Sequence, residues 1–484
     1  MSLKIFNTAT RKKEEFTPIN PAIVTMYTCG ITLRGAPHIG NLRTFTSSDI
    51  MYRGLQFLGY KVRFVSNFTD VGHMTLTDAE KLKLQGEQDT FETEVGIDRI
   101  QKAAQKTGLS IQEVINHYKK VALEQYKMMN FLEPEKRPMA TEYIQQQIEL
   151  IQRLIDKGYA YVTESAVYFD TSKDPEYGKL SGQKKEEKIT GARNEVKIDL
   201  CKRNPADFRL WQLDQPDHAQ KWPSPWGEGF PGWHIECSAM AMSILGETID
   251  IHTGGRDLIT PHHENEIAQS ECATGHEFVK YWNHTEFLLV DGRKMSNSLG
   301  NFYELKDVTD RGYDPMDLRY FYLTANFNVQ QNFTWEAMDA AKAARKRLVS
   351  IIRELKRDII DTPADDEMKN EYNIQFKEKI EDNFNTPEAL AVMWQMIGDD
   401  MISSHEKLHL IQHFDRFFGL RLDEVSEHEE ISKDLKAQIE EIILKRNEAK
   451  ANKDFKTADE LRNKAKDLGF ELLDRHEGTK YRML

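Results

Sequence analysis

Apolar residues and glycines near the amino terminus follow the order of a β-α-β unit. The segment 22–30, AIVTMYTCG, is an apolar run ending at a glycine, which predicts a buried strand. A polar loop over 31–37 precedes a helical pattern over 39–58, which Gly59 closes. The segment 61–70, KVRFVSNFTD, predicts a second strand. Because a helical crossover joins parallel strands, we expect a parallel sheet that binds ligands at the carboxyl ends of its strands.

Small and polar side chains occupy these predicted strand ends. They are Cys29, Thr32, His38 and Gly40 after the first strand, and Asn67, Thr69 and Asp70 after the second. We expect them to line one edge of the sheet.

The pattern changes after residue 137. An amphipathic helix ending at Gly158 and a hairpin-like pair of strands predict an insertion. The α/β pattern then resumes, with a helix from about His234 to Leu245, a strand over Glu247–Gly255, a helix starting near Pro261 and a hairpin over Glu286–Gly292. After Phe333 the pattern is nearly all helical, and it closes with a small hairpin.

Composition excludes several classes of protein. The 484 residues carry a net charge of −13, which argues against nonspecific binding to polyanions but leaves room for a local basic surface. Four cysteines are too few for a disulfide scaffold. No run approaches the ~20 apolar residues that span a bilayer, and the first ten residues lack the apolar core of a signal peptide. We therefore expect a cytoplasmic protein that does not bind membranes.

Four residues have the chemistry of a zinc site. Cys237, His262 and Glu266 lie within one short stretch, and Cys29 ends the first strand. His262 and Glu266 are four residues apart, so a helix would place them on one face. A solvated His–Glu pair with two buried structural cysteines is the competing interpretation. Cys201 and Cys272 are predicted to be packing residues.

Three further segments are candidates for nucleotide binding. PHIGN (37–41) places an imidazole and bare backbone N–H groups at a helix start, and GRKMSNS (292–298) is a basic loop after a hairpin. GGRD (254–257) follows a strand, where glycines admit a nucleotide and Asp257 could hold ribose hydroxyls. Taken alone, PHIGN is explained equally well by an ordinary helix start and GGRD by a tight turn, whereas a solvated turn is the favoured interpretation of GRKMSNS.

The order of these segments resembles a class I aminoacyl-tRNA synthetase, specifically the cysteinyl-tRNA synthetases. The strand ending in CG, PHIGN, NFTD, PGWHIECSAM, GGRDL, PHHENEIAQS and GRKMSNSLGNF carry the resemblance, which covers nearly the whole chain. PHIGN and KMSNS stand where that class has its HIGH and KMSKS motifs. The resemblance implies ATP-dependent activation of L-cysteine to cysteinyl-adenylate and its transfer to tRNA(Cys), with zinc reading the substrate thiol.

The family's site residues transfer to this chain as follows. The resemblance implies one zinc ion per chain on Cys29, Cys237, His262 and Glu266, with the substrate thiolate as a further ligand. Gly30, Thr32, Thr69 and Trp233 would complete the cysteine pocket. ATP, with Mg²⁺, would contact His38, Gly40, Asn41, Gly254, Asp257 and Lys294, and the catalytic residues would be His38, Asn41 and Lys294.

The resemblance also implies a domain order and a monomer. The expected fold is α/β, with a Rossmann-type parallel-sheet catalytic domain over 1–137 and 206–310, a connective insertion over 138–205, a stem-contact region and helical bundle over 311–415, and a small anticodon-binding domain over 416–484.

This chain departs from the family pattern at two motifs and one loop. Asn297 replaces the second lysine of KMSKS, Asn41 replaces the last histidine of HIGH, and the first loop reads CGITLRG. Arg293 or Arg34 could supply the missing charge. Two alternatives therefore stay open: a related ligase that passes activated cysteine to a small amine, and a weakly catalytic RNA-binding relative.

Overall fold

The computed structural model of the protein has two compact units. Its described residues are 2–72, 74–75, 97–182, 201–213, 215–295, 300–358, 371–427, 433–452, 454–475 and 478–483. The first unit comprises Met1–Leu348 with Pro363–Asp423, and the second comprises Val349–Thr362 with Glu424–Leu484. The domain boundaries predicted above stay predictions.

Fourteen α-helices lie in the described part of the chain. They are α1 (Ile39–Phe57), α2 (Arg99–Thr107), α3 (Ile111–Met128), α4 (Ile144–Asp156), α5 (Trp233–Leu245), α6 (Glu264–Thr274), α7 (Leu305–Asp310), α8 (Pro315–Leu323), α9 (Trp335–Asp358), α10 (Glu371–Glu381), α11 (Thr386–Ile397), α12 (Ser404–Phe418), α13 (Lys433–Ala451) and α14 (Phe455–Asp467). Short helical turns occupy Ala140–Tyr143, Arg256–Leu258 and Ile259–His263.

The strands of the same described ranges form six sheets. They are β1 (Lys4–Asn7), β2 (Lys12–Glu15), β3 (Val24–Thr32), β4 (Val62–Thr69), β5 (Met74–Thr75), β6 (Ile97–Asp98), β7 (Ala160–Val162), β8 (Ala166–Phe169), β9 (Phe208–Gln212), β10 (Trp222–Ser224), β11 (Gly227–Pro231), β12 (Ile249–Gly255), β13 (Val279–Thr285), β14 (Leu288–Val290), β15 (Arg293–Lys294), β16 (Gln331–Phe333), β17 (Phe470–Arg475) and β18 (Gly478–Met483).

The central sheet is parallel, which confirms the predicted Rossmann-type α/β core. Its four strands stand in the order β13-β12-β3-β4, and α1 connects β3 to β4. The carboxyl ends of all four strands therefore meet at one edge. Tyr27 and Val65 are fully buried in these strands because the sheet is covered on both faces.

One local prediction needed correction. Strand β3 runs on past Gly30 to Thr32, with a shift in register between Thr28 and Ile31. The helix expected near Pro261 is present: Thr260 has extended backbone angles (φ −136°, ψ 131°) that form a kink, and helical backbone continues from the residues after it into α6.

A five-stranded antiparallel sheet follows the first half of the core along the chain. Its order is β10-β11-β9-β8-β7, so its strands come from both sides of residue 205. The predicted helix that Gly158 ends and the hairpin after it are present as α4 and the β7–β8 pair. Trp211 is fully buried where this sheet packs on neighbouring helices.

The second unit has its own small core. Helices α13 and α14 and the β17–β18 hairpin bury Ile439, Ala465 and Phe470. The predicted terminal hairpin is thus confirmed. No helix in the described ranges combines the length and the apolar character needed to cross a membrane.

Candidate active site and metal centre

Four predicted ligands meet at the carboxyl edge of the central sheet. Cys29 lies in β3, Cys237 in the second turn of α5, and His262 and Glu266 around the start of α6. Each is at most 5% exposed, and their ligand atoms all lie within 4.8 Å of one another. A buried site that could hold a metal ion is therefore present.

The distances between these atoms fit tetrahedral zinc. With Zn–S near 2.3 Å and Zn–N or Zn–O near 2.0–2.1 Å, tetrahedral ligand atoms lie about 3.3–3.8 Å apart. Cys29 Sγ is 3.6 Å from Cys237 Sγ and 3.5 Å from Glu266 Oε1, while His262 Nε2 is 3.1 Å from Glu266 Oε1. The donor set and its spacing both suit the ion.

A second donor set overlaps the first. Cys29 and Glu266 also lie close to His252 and His263, with Cys29 Sγ 3.4 Å from His263 Nε2 and His252 Nε2 3.0 Å from Glu266 Oε2. We favour the set with two sulfurs, because thiolates are the stronger zinc ligands. His252 then contacts the second oxygen of Glu266, an outer contact that orients a metal-binding carboxylate.

The histidines behind the cluster also form close pairs. His234 Nδ1 lies 3.0 Å from His262 Nδ1, and His263 Nδ1 lies 2.7 Å from His284 Nε2. The first pair leaves His262 Nε2 facing Glu266 Oε1. Engagement of one ring nitrogen thus directs the other toward the cluster.

The electrostatics of the cluster favour a cation. The hydrogen bond that the Cys29 thiol donates lowers the pKa of Cys237 to about 6, against the opposing effect of burial. Burial raises the pKa of Cys29 well above its usual range. Burial opposes ionisation of Glu266 as well, but His252 and His262 lower its pKa to about 2. One thiolate and one carboxylate are thus available at neutral pH. Burial lowers the pKa of His262, but Cys237 and Glu266 outweigh it and raise that pKa to about 10, so a divalent cation would displace the protons of both Cys29 and His262.

The predicted cysteine-pocket residues adjoin the cluster. Thr32 and Thr69 are paired in register at the ends of β3 and β4, and the Trp233 ring centroid lies 4.0 Å from that of His262. A Cβ atom at Gly30 would lie 1.6 Å from the carbonyl oxygen of Asn67, so only glycine fits there. The Gly30 N–H donates to Asn67 Oδ1 at 2.9 Å, which joins the two strands beside the cluster.

The PHIGN segment begins α1 with a capping box. The Asn41 N–H donates to His38 Nδ1, and the His38 N–H donates to Asn41 Oδ1, each over 3.2 Å. Burial, together with nearby Arg34, lowers the pKa of His38 to about 4, so the ring is neutral at pH 7.

The second candidate nucleotide-binding segment, GRKMSNS, lies against the first. A Cβ atom at Gly40 would lie 3.0 Å from both the His38 ring and Met295 Cε, so the KMSNS loop begins against the PHIGN glycine. Lys294 is exposed, and its Nζ lies 5.1 Å from the Phe287 ring centroid. Asn297 lies outside the described residues.

The GGRD segment, the third candidate for nucleotide binding, lies beside the cluster. A Cβ atom at Gly254 would lie 2.7 Å from His263 Cε1, whose ring contacts Cys29. Asp257 is exposed in the turn that follows β12. The structure thus brings the four predicted ligands to one edge of the sheet, together with the strand-end residues of the predicted pocket, and the PHIGN and GGRD segments follow strands that end at this edge.

Sequence reasoning missed four histidines around the cluster, His234, His252, His263 and His284, and misjudged one cysteine. His252 sits in β12, whose pattern gave no reason to expect a second donor set, and His234 and His263 each neighbour a residue singled out above. The adjacent pair in PHHENE was the available signal for His263. Cys272 is half-buried against the core as predicted, but Cys201 is exposed, so its assignment as a packing residue was wrong.

Residues 15–343 match the sequence model of the family described as tRNA synthetases class I (C) catalytic domain. Among solved structures, Mycobacterium tuberculosis methionyl-tRNA synthetase in complex with methionyl-adenylate has a similar fold, with a TM-score of 0.55, 15% identity, and 82% of this chain and 88% of that chain covered. A second structure of that enzyme, bound by methionyl-adenylate, gives a TM-score of 0.55 and 14% identity over 84% and 89% of the two chains. At these identities the likeness concerns the fold.

Proposed function

The chain belongs to the class I tRNA synthetase (C) catalytic-domain family, and on that premise we propose that it is a cysteine–tRNA ligase. The family activates an amino acid with ATP and Mg²⁺ and charges tRNA. Our proposal adds the identity of the amino acid, cysteine, and of the cofactor, one zinc ion per chain. We also propose that the protein acts as a monomer.

One observation carries the choice of cysteine. The buried Cys29/Cys237/His262/Glu266 cluster lies beside Trp233 and the strand ends, where the substrate side chain would bind. Zinc bound to these four residues would take the substrate thiolate as a further ligand and would bind the hydroxyl of serine poorly. A hydrophobic pocket alone rejects a near-isostere by only ~10²-fold.

The remaining pocket residues would hold the amino acid in place. Gly30 lets β3 approach β4 closely, and Thr32 and Thr69 stand in register at the ends of these two strands. Trp233 would close the pocket above His262. With the side chain of the amino acid held in this way, its carboxylate would point toward the PHIGN, GGRD and GRKMSNS segments.

The nucleotide segments would stabilise the charge that develops on phosphate. The substrate carboxylate attacks the α-phosphate of ATP, and pyrophosphate leaves with Mg²⁺. Neutral His38 and Asn41 at the start of α1 would donate to phosphate oxygens, and Lys294 would neutralise charge in the transition state. Gly254 and Asp257 would contact the rest of the nucleotide.

A ribose hydroxyl at the 3′ end of tRNA(Cys) would then take the cysteinyl group. The second unit supports tRNA as the acceptor, because a ligase for small amines has no need of the helices and hairpin that follow Asp423. We propose that this part of the chain reads the anticodon, within the domain division predicted from the sequence.

Pyrophosphate exchange tests the proposal. The purified protein should exchange pyrophosphate with cysteine and ATP, and adding tRNA(Cys) should yield cysteinyl-tRNA. Exchange without transfer to tRNA would favour the small-amine ligase, and absence of cysteine-dependent exchange would reject cysteine activation altogether.

A further inference from the structure

Arg43 is a buried cation near the start of α1. It lies two residues beyond the PHIGN segment and is 2% exposed. Within the described residues, all of its hydrogen bonds go to backbone carbonyl oxygens. The acceptors are Glu286, Phe287 at 3.0 Å, Asn326 at 3.5 Å and Val329 at 2.6 Å.

Two of these carbonyls belong to the base of the hairpin that carries Lys294. Glu286 and Phe287 lie between β13 and β14, and β14 pairs with β15 so that Leu289 faces Lys294. The Lys294 ammonium group lies 5.1 Å from the Phe287 ring centroid. The Arg43 side chain therefore joins the helix that begins at PHIGN to the segment on which Lys294 rests.

The same segment has a second charged contact. The Glu286 carboxylate contacts Arg256, which stands between Gly255 and Asp257 in the GGRD turn. The Glu286–Phe287 segment is thus contacted from the PHIGN helix, from the GGRD turn and from the KMSNS hairpin.

The hydrogen bonds of Arg43 make it energetically costly to move the Glu286–Phe287 segment away from α1. A guanidinium group has a planar fork of donors, so it can hold several carbonyl groups at fixed relative positions. Burial lowers the pKa of Arg43 to about 10, which leaves it charged at neutral pH. Moving the segment would leave a buried charge and buried carbonyl groups without partners, which is energetically costly.

We propose that Arg43 is a positioning residue for amino-acid activation, because it sets the place of Lys294 relative to His38 and Asn41. This inference rests on the proposed function, since it assigns these groups to the adenylation site. Arg43 itself does not contact substrate. Its effect should therefore appear in the rate of the chemical step and in the order of the hairpin.

Arg43→Lys tests the inference, because lysine keeps the charge but not the fork. Arg53→Lys is a matched control. Arg53 lies on the same helix, about 15 Å further along, is 7% exposed, and bonds Asp49 at 2.8 Å and the carbonyl oxygen of Asn130 at 2.6 Å. Both variants lose a buried guanidinium group, but only Arg43 contacts the hairpin base.

Two quantities are measured for both variants. Each variant is assayed at the same number of degrees below its own melting temperature. In ATP–pyrophosphate exchange with cysteine, Arg43→Lys should lower kcat by about 10- to 100-fold, with little change in KM for cysteine. In limited proteolysis with mass-spectrometric mapping, trypsin should cleave after Arg293 or Lys294 several-fold faster than in wild type. Arg53→Lys should leave both quantities near wild type.

The inference is overturned if Arg43→Lys matches Arg53→Lys in either measurement. A wild-type protein without cysteine-dependent exchange would instead count against the proposed function. In that case the proteolysis alone decides whether Arg43 holds the hairpin, with faster cleavage supporting the contact and unchanged cleavage rejecting it.

Discussion

The sulfur atoms of Cys29 and Cys237 lie 3.6 Å apart, although 208 positions separate them in the chain. They meet because β3 ends at the sheet edge on which the second turn of α5 packs. The Cys29 thiol donates to Cys237, which favours a thiolate there. Such a pair in a buried site suits a soft or borderline metal ion.

The first prediction concerns metal content. The protein should purify with about one zinc per chain, four-coordinate without substrate. Cys237→Ser should lose most of the metal, because it replaces a thiolate by a poor ligand. Cys272→Ser is the matched control, since Cys272 lies outside the cluster and should leave metal content unchanged. Inductively coupled plasma mass spectrometry of both variants decides the matter. Equal zinc in the two variants would refute the ligand set.

The second prediction concerns the choice between cysteine and serine. Wild-type protein should discriminate against serine in pyrophosphate exchange by more than the ~10²-fold that a hydrophobic pocket achieves alone. Cys237→Ser should lose cysteine activation but bind ATP almost as well as wild type, because the nucleotide segments are intact. Exchange kinetics and calorimetric titration with ATP measure the two effects. Comparable wild-type rates with serine and cysteine would contradict metal-based discrimination.

The third prediction concerns Gly30. Gly30→Ala should destabilise the protein by about 1–3 kcal/mol or more, because the new methyl group would overlap the Asn67 carbonyl. The β3–β4 contact beside the cluster should loosen, and metal affinity should fall with it. Gly35→Ala is the control, since a Cβ atom there meets nothing within 4 Å. Thermal melting and zinc titration of the two variants test this, and equal melting temperatures would argue against the close approach.

The fourth prediction concerns Asn297. If this residue weakens the contact with pyrophosphate, Asn297→Lys should raise the adenylation rate by ~10-fold or more with little change in cysteine affinity, because the added charge acts in the transition state. If Arg293 or Arg34 already supplies the charge, that substitution should do little, and Arg293→Ala or Arg34→Ala should be severe. The rate of ATP–pyrophosphate exchange with cysteine, measured for all three variants, separates these cases. Unchanged rates throughout would favour the weakly catalytic RNA-binding alternative.

Much of the core could be predicted from local pattern. Three local signals predict the β3-α1-β4 unit, and each extends over only a few residues. They are the apolar run before Gly30, the glycine that closes α1 and the second apolar run. Parallel order then implied that Cys29, Thr32 and Thr69 would share an edge. The sequence also indicated which residue types could form the candidate metal site, but a solvated His–Glu pair with two structural cysteines explained them as well.

Only the tertiary structure decided how distant segments meet. Spacing alone could not reveal that His252 and His263 form a second donor set around the same Cys29 and Glu266. It could not reveal that Arg43 would donate hydrogen bonds to the base of a hairpin some 240 residues away. Nor could it reveal that Cys201 would be exposed. The physical reason is the same in each case. Periodicity and turn residues act within one element, whereas these contacts depend on which faces remain to be buried after the elements have packed together.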